Sequence, residues 1–242
     1  LYTGEELAAN PMPLVGRPKV EKSLPKALPR PAAEALVETA RKDEGSGRVT
    51  DWPERDLALI LTALLAGLRA DELLQTDVGD VRPTPAGAAV IHVHGKGGKE
   101  RAVPIEAPLL AAIEDYLDSR AVRFLDSSKK ARGGSGLSRW PAHSPLFVGR
   151  DGERITRGTL QSRIKRAFRL AGADAQPVRG ALVHGLRHTY ATELAAADVS
   201  VYTLMKLLGH ESMATSQRYV SAAGTETREA AARNPLYDMI DS

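Results

Sequence analysis

Between Leu57 and Leu68 the chain is almost wholly apolar, and the run closes on Gly67-Leu68-Arg69-Ala70-Asp71-Glu72-Leu73. A segment apolar on every face cannot lie on a surface. As a helix it must sit at the centre of a core, with other elements packed around it. Asp51 can cap that helix, and Pro53 is tolerated in its first turn. With 242 residues the chain is long enough to build a sizeable core. An arginine ending such a run is costly unless something holds it, and Glu72, three residues on, is within reach. The pair reads either as a structural ion pair or as a guanidinium held ready for work.

The remaining segments supply the packing partners. Helical pattern runs from Ala32 to about Lys42, over Asp71–Gln75, over Ala107–Arg120 and over Arg157–Ala171. Further helices are expected at about 184–197, 200–208, 212–221 and 225–232. Ala88–His94 and Arg101–Ile105 read as two strands, joined through Gly95-Lys96-Gly97-Gly98-Lys99, whose glycines suit a tight hairpin. Leu146–Ile155 reads as a short hairpin turning at Asp151-Gly152, and Arg123–Ser144 as a mobile insertion. Residues 1–31 are rich in proline and lack a helical period, so they read as a linker. The fold class is mixed α/β (α+β), mainly helical with a small antiparallel sheet. Residues 1–30 are taken as linker, 31–222 as one domain and 223–242 as a tail. Leu1 rather than Met opens the chain, which suggests a piece of a longer protein.

Charge is informative through its distribution. The net charge is only +3. Yet Arg150 to Arg187 holds nine Lys or Arg against three acids, and Arg17 to Arg30 holds five against Glu21 alone. After Tyr219 the acids dominate. A basic body suits a polyanion and an acidic tail suits a protein partner; ordinary solvated surface is the alternative. Cysteine is absent, which removes disulfides and thiolate zinc sites and fits a reducing, cytoplasmic setting. No stretch approaches the roughly 18 apolar residues of a membrane span.

Six residues could carry chemistry. Arg69 is one. Lys96, at the hairpin tip, could reach into a groove, or be a solvated turn residue. His184 and Arg187 are one helical turn apart and share a face. His188, the next residue, points elsewhere and reads as a packing side chain or as one that acts through a neighbouring site residue. His210 follows Leu208-Gly209 at a helix stop, and Tyr219 comes nine residues later, where most tyrosines only pack. Arg and His gather where a phosphate must be neutralised, and a phenol beside them could attack it. A metal reading through His92 and His94 lacks ligand spacing, so no metal and no cofactor are expected.

Together these positions resemble the catalytic signature of the tyrosine recombinase (phage integrase) family. Gly67–Leu73 resembles its first arginine box. Val93-His94-Gly95-Lys96-Gly97-Gly98-Lys99-Glu100-Arg101-Ala102-Val103-Pro104-Ile105 resembles the hairpin holding its lysine. His184-Gly185-Leu186-Arg187-His188-Thr189-Tyr190-Ala191-Thr192, with Leu207-Leu208-Gly209-His210 and Tyr219, resembles its C-terminal box. The resemblance covers about residues 30–222 and implies the integrase catalytic-domain fold. Residues 10–30 resemble the linker that follows the family's core-binding domain, so 1–30 would include a remnant of that domain.

What the resemblance implies is site-specific cleavage and rejoining of double-stranded DNA through a covalent 3′-phosphotyrosyl intermediate, without ATP. Tyr219 would be the nucleophile, and Arg69 and Arg187 would grip the scissile phosphate. His184 would handle the phenol's proton, Lys96 would protonate the leaving 5′ oxygen, and His210 would bind the phosphate and help position the tyrosine. Glu72 would orient Arg69 or His184. Lys99, Arg101, Arg163, Lys165, Arg166 and Arg169 are the expected DNA contacts, with the Arg157–Ala171 helix as a DNA-facing element. A homo-tetramer on paired target sites is expected, with accessory DNA-bending proteins, and a monomer for the isolated domain. The tail, with Pro235, Leu236, Tyr237, Met239 and Ile240, would dock on its own body or on a neighbour. Phage DNA integration in a bacterial cytoplasm or nucleoid is the narrower expectation. Alternatives are a type IB topoisomerase-like enzyme, a non-catalytic DNA-binding protein of the same fold, and a metal-dependent nuclease.

Overall fold

The computed structural model describes residues 27–43, 51–95, 98–125, 134–175, 182–210 and 212–223. Within them lie eight α-helices and one small sheet. They are α1 (Arg30–Arg41), α2 (Pro53–Leu65), α3 (Ala70–Gln75), α4 (Ala107–Arg123), α5 (Arg157–Ala171), α6 (Leu182–Ala196), α7 (Val201–Leu208) and α8 (Met213–Ala223). The sheet has the order β1 (Val81–Pro83), β2 (Ala89–His94), β3 (Glu100–Ile105), antiparallel throughout. Among the described residues no helix is long and apolar enough to cross a membrane.

The apolar run does form the central helix. α2 packs against α1, α4, α5 and α6, and Ala58, Leu59, Ile60 and Ala63 are fully enclosed. It ends at Leu65, three residues before the apolar run does. Gly67 explains the stop. Its φ of 60° is left-handed, and a Cβ there would stand 2.2 Å from the Tyr190 ring. Leu68 therefore turns into the core outside the helix, and Arg69 becomes the N-cap residue of α3. Trp52, rather than Asp51, stands at the N-cap of α2. The Asp51 carboxylate instead accepts a hydrogen bond from Arg163 at 3.2 Å.

Two strands were legible and the third was not. β1 is only three residues long and pairs Val81 with Ile91 at the sheet edge. Residues 134–144, expected to be mobile, pack against the body. The backbone N–H groups of Val78 and Gly79 donate to Ser144 and Ala142, each at 2.8 Å, and Trp140 is buried under the Arg120 guanidinium. The segment around 146–155 closes as a minimal hairpin through the single bridge Val148 to Arg154, and a second bridge, Asp77 to Pro145, ties its start to the segment after α3. The helix expected at 225–232 and the tail lie outside the described residues.

The core has two parts. The larger joins α1 to α5, the sheet and the start of α6. The smaller consists of Ala191, Ala195, Leu204, Leu208 and Tyr219, where α6, α7 and α8 meet. The candidate site lies at the seam between them.

Candidate active site

Arg69 reaches the seam from the N-cap of α3. Its backbone N–H donates to Oε2 of Glu72 at 2.7 Å, and its Nη1 donates to Oε1 at 2.8 Å. The same carboxylate receives both terminal nitrogens of Arg101, at 2.7 and 2.8 Å, while Arg187 Nη1 lies 3.8 Å from Oε2. Burial alone would raise the Glu72 carboxyl. The hydrogen bonds from Arg101 and from Arg69 outweigh it and hold the group at about 2. One buried anion thus fixes three guanidiniums.

Those arginines also grip one turn. Arg101 Nε donates to the Leu207 carbonyl at 2.8 Å, Arg187 Nη2 to that of Leu208, and Arg69 Nη2 to that of Gly209 at 3.0 Å. These carbonyls sit at the C-terminus of α7, where a helix leaves acceptors without partners and carries partial negative charge. Gly209, with φ 61°, supplies the left-handed cap. Arg187 also donates to the Gly67 carbonyl, which ties the break after α2 to the end of α7. Burial lowers the Arg187 guanidinium to about 10, so it stays charged at neutral pH.

His210 follows this turn. Its Nδ1 lies 2.9 Å from Ser216 Oγ, and its Nε2 lies 3.4 Å from Arg187 Nη2. Its ring is nearly parallel to that of Tyr219, 15° apart, with centroids at 6.1 Å. Tyr219 is 4% exposed on α8, and its hydroxyl lies 2.6 Å from Nδ1 of His188. Burial raises the phenol; Arg187, Arg218 and Arg69 pull it back in part.

His184 is exposed and meets His188 ring edge to face at 4.2 Å. Burial, aided by Arg187 and Arg69, lowers its imidazole. His188 falls to about 4 through burial, then through His184 and Arg187. Burial also leads for His210, with Arg187, Arg69 and Arg101 adding to it, and takes it to about 4. His188 and His210 are therefore neutral at pH 7.

Arg69, Arg187, His210 and Tyr219 are therefore brought together from four segments, with Glu72 beneath the arginines and His184 at the rim. Among the described residues the Tyr219 hydroxyl bonds to His188 and not to His184. Lys96 lies outside the described residues; Lys99, beside it, is exposed. Of the other expected DNA contacts, Arg101 turns inward. Arg163 donates to Asp56 at 2.7 Å and Arg166 pairs with Asp43. Lys165 and Arg169, four residues apart on α5, are exposed. His94 sits between Asp80 and Glu100, at 3.2 and 3.1 Å, and no metal-binding cluster occurs among the described residues.

Sequence reasoning missed two partners. Arg101 alternates with Val103 and Ile105, both buried, so the strand period already set it on the core side. His188 stands four residues after His184, hence on the same helix face.

Chemically, this is a site for an oxyanion. It has two guanidiniums and an imidazole on one side and a phenol beside them, a constellation suited to phosphoryl transfer. The sequence profile of the phage integrase family matches residues 26–226, and the chain belongs to that family. It is 32% identical over 216 residues to the tyrosine recombinase XerC of Pelobacter propionicus, covering 88% of this chain and 61% of that protein. It is 28% identical over 227 residues to the tyrosine recombinase XerA of Pyrococcus furiosus, covering 92% and 66%. Among solved structures it is similar to the XerH site-specific recombinase bound to a palindromic difH substrate in a post-cleavage complex. There the TM-score is 0.68 at 25% identity, covering 90% of this chain and 55% of that one. The catalytic domain of bacteriophage HP1 integrase shares the fold, with a TM-score of 0.54 and 20% identity over 87% of this chain and 96% of that one. The chain spans less than two thirds of the length of these curated relatives.

Proposed function

We propose that this chain is the catalytic part of a site-specific DNA recombinase that breaks and rejoins strands through a covalent 3′-phosphotyrosyl bond on Tyr219. The observation that carries the reading is the convergence of Arg69, Arg187 and His210 at the end of α7, beside the Tyr219 ring. Arg69 and Arg187 take the non-bridging oxygens of the scissile phosphate, exchanging the carbonyls of Gly209 and Leu208 for stronger charge-assisted bonds. His210 donates a further bond to the phosphate. His184, open to the outside, moves the phenol's proton, and Lys96 protonates the departing 5′ oxygen. A free phenol sits near pKa 10, roughly 4 kcal/mol from its anion at neutral pH; burial widens that gap for Tyr219, and the nearby cations offset the widening in part. One phosphodiester is exchanged for another, so no ATP is needed.

The catalytic domain comprises residues 31–222, with 1–30 as linker. Lys99, Lys165 and Arg169 face the DNA backbone. Target sites are paired and the working assembly is a tetramer, in the cytoplasm where its DNA lies. Names of the XerC, XerD and XerA type among the curated relatives favour site-specific recombination in general over integration of a viral genome.

The test uses nicked suicide duplexes randomised across the recognition arms. The chain should become covalently attached to DNA in excess EDTA, and Tyr219→Phe should abolish attachment while leaving binding largely intact. Covalent product from Tyr219→Phe would sink the nucleophile assignment. Relaxation of supercoiled DNA with no need for two sites would favour a topoisomerase.

A further inference from the structure

We propose that His188 is the positioning residue of the nucleophile: its Nδ1 accepts the hydrogen bond of the Tyr219 phenol and fixes where that oxygen stands beside Arg187 and His210. The inference rests on Tyr219 being the nucleophile.

The surroundings of Tyr219 make this bond decisive. Its ring lies in a small core whose other buried members, Ala191, Ala195, Leu204 and Leu208, offer no side-chain partner to a hydroxyl. A buried phenol without a partner is costly, so the oxygen must find one. His210 is not that partner. Its ring lies parallel to the tyrosine ring at 6.1 Å, its Nδ1 is taken by Ser216 and its Nε2 faces Arg187. His188 Nδ1, at 2.6 Å, is the group the phenol meets.

His188 is also firmly placed. The residue before it, Arg187, is buried and bonded to the carbonyls of Gly67 and Leu208. The residue after it, Thr189, accepts from the Leu28 backbone N–H at 2.8 Å and donates to the Gly185 carbonyl at 3.0 Å. On its outer side the His184 ring packs edge to face at 4.2 Å. α6 is thereby held on three sides at this level. α8, eleven residues long, carries Tyr219 against α6 and α7. The bond runs from the well-tied helix to the short one, so together with the His210–Ser216 contact it sets the rotation of α8 and with it the position of the phenol oxygen. The ring is neutral at pH 7, and in the tautomer with its proton on Nε2 its Nδ1 lone pair is free to accept.

Two variants of the full chain test the idea. His188→Phe keeps a ring between His184 and Tyr219 but removes the acceptor. His188→Asn loses the ring but places an amide oxygen near the former Nδ1. Single-turnover attachment to nicked suicide DNA and DNA affinity are measured for both. His188→Phe should slow attachment about tenfold, the worth of one hydrogen bond, at unchanged DNA affinity. His188→Asn should recover most of that rate. If His188→Phe does not fold, His188→Asn alone decides, and a loss beyond about tenfold overturns the proposal. Attachment by His188→Phe at the parent rate overturns it too, as does an Asn variant as slow as the Phe variant. Tyr219→Phe runs alongside. Covalent product there would defeat the nucleophile reading itself, whereas an inactive Tyr219→Phe with indifferent His188 variants defeats only this inference.

Discussion

Arg101 lays its two terminal nitrogens on the two carboxylate oxygens of Glu72, at 2.7 and 2.8 Å. A strand of the hairpin and the arginine box after α2 are thereby joined through one buried anion, which also holds Arg69. The pairing is bidentate and sheltered, the geometry in which an Arg–carboxylate bond is strongest.

Glu72→Gln should therefore destabilise strongly. Removing one partner of a buried pair leaves uncompensated charge and costs about 3–5 kcal/mol. For a chain of this size that lowers the thermal midpoint by roughly 10 °C. The sign with pH follows from the depressed carboxyl. Its contribution is complete above the unfolded-state pKa, near 4.3, and is lost as pH falls towards about 2. The gap between the parent and Glu72→Gln midpoints should be wide at pH 7 and close towards pH 2. A gap that does not change with pH would show that the carboxylate's charge is not what stabilises.

What the sequence disclosed, and what it hid, follows from the range of the forces involved. Arg157–Ala171 was legible to the residue because Thr156 caps it and its apolar period is regular. The end of α2 was not, because hydrophobicity continues through Leu68 while a glycine conformation breaks the helix. Arg69, Arg187, His210 and Tyr219 could be named because their motifs resemble the family's signature. The joint attachment of Arg69 and Arg187 to the carbonyls at the end of α7 could not, since it depends on segments up to 140 residues apart. The surface role expected of Arg163 and Arg166 rested on composition. Burial of their side chains against Asp51, Asp56 and Asp43 is a tertiary fact.

Gly67→Ala should damage both stability and catalysis. A non-glycine residue at φ 60° is strained, and here the new methyl would press on the Tyr190 ring. The backbone strain alone is worth about 1–3 kcal/mol. Because the Gly67 carbonyl accepts from Arg187, relief of the clash also moves the guanidinium proposed to bind phosphate. Denaturant midpoint and attachment rate should fall together. A stable but inactive variant would separate the two roles, and an unaffected one would contradict the geometry.

Stability should also fall as the solution is acidified from about pH 6.5 to pH 4. His188 and His210 are held neutral to about 4, while their unfolded counterparts take up protons from about 6.5 downward. Where the unfolded chain binds more protons, acidification favours unfolding. His94 is raised by Asp80 and pushes the other way, but it is mostly exposed and screened. Urea midpoints at pH 7, 5.5 and 4.5 should decline. The decline should be shallower in His210→Asn, and an equal slope in that variant would count against this origin.

α5 offers the sharpest division between structure and binding, because its cations point two ways. Arg163 and Arg166 are sheltered against Asp51, Asp56 and Asp43, while Lys165 and Arg169 are exposed. Arg163→Gln should lower the thermal midpoint, since it removes the sheltered cation that Asp51 and Asp56 share and leaves them only Arg166 and Arg55, and DNA affinity of the folded fraction should hold. Lys165→Gln with Arg169→Gln should leave the midpoint within about 0.5 kcal/mol of the parent, as surface changes do. If both residues neutralise phosphates, the double variant should weaken binding across all sequences alike and reduce the slope of log affinity against log salt by about two, one for each cation removed. Parent-like salt dependence in the double variant would remove α5 from the DNA interface. A changed slope in Arg163→Gln would mean that its ion pairs open when DNA binds.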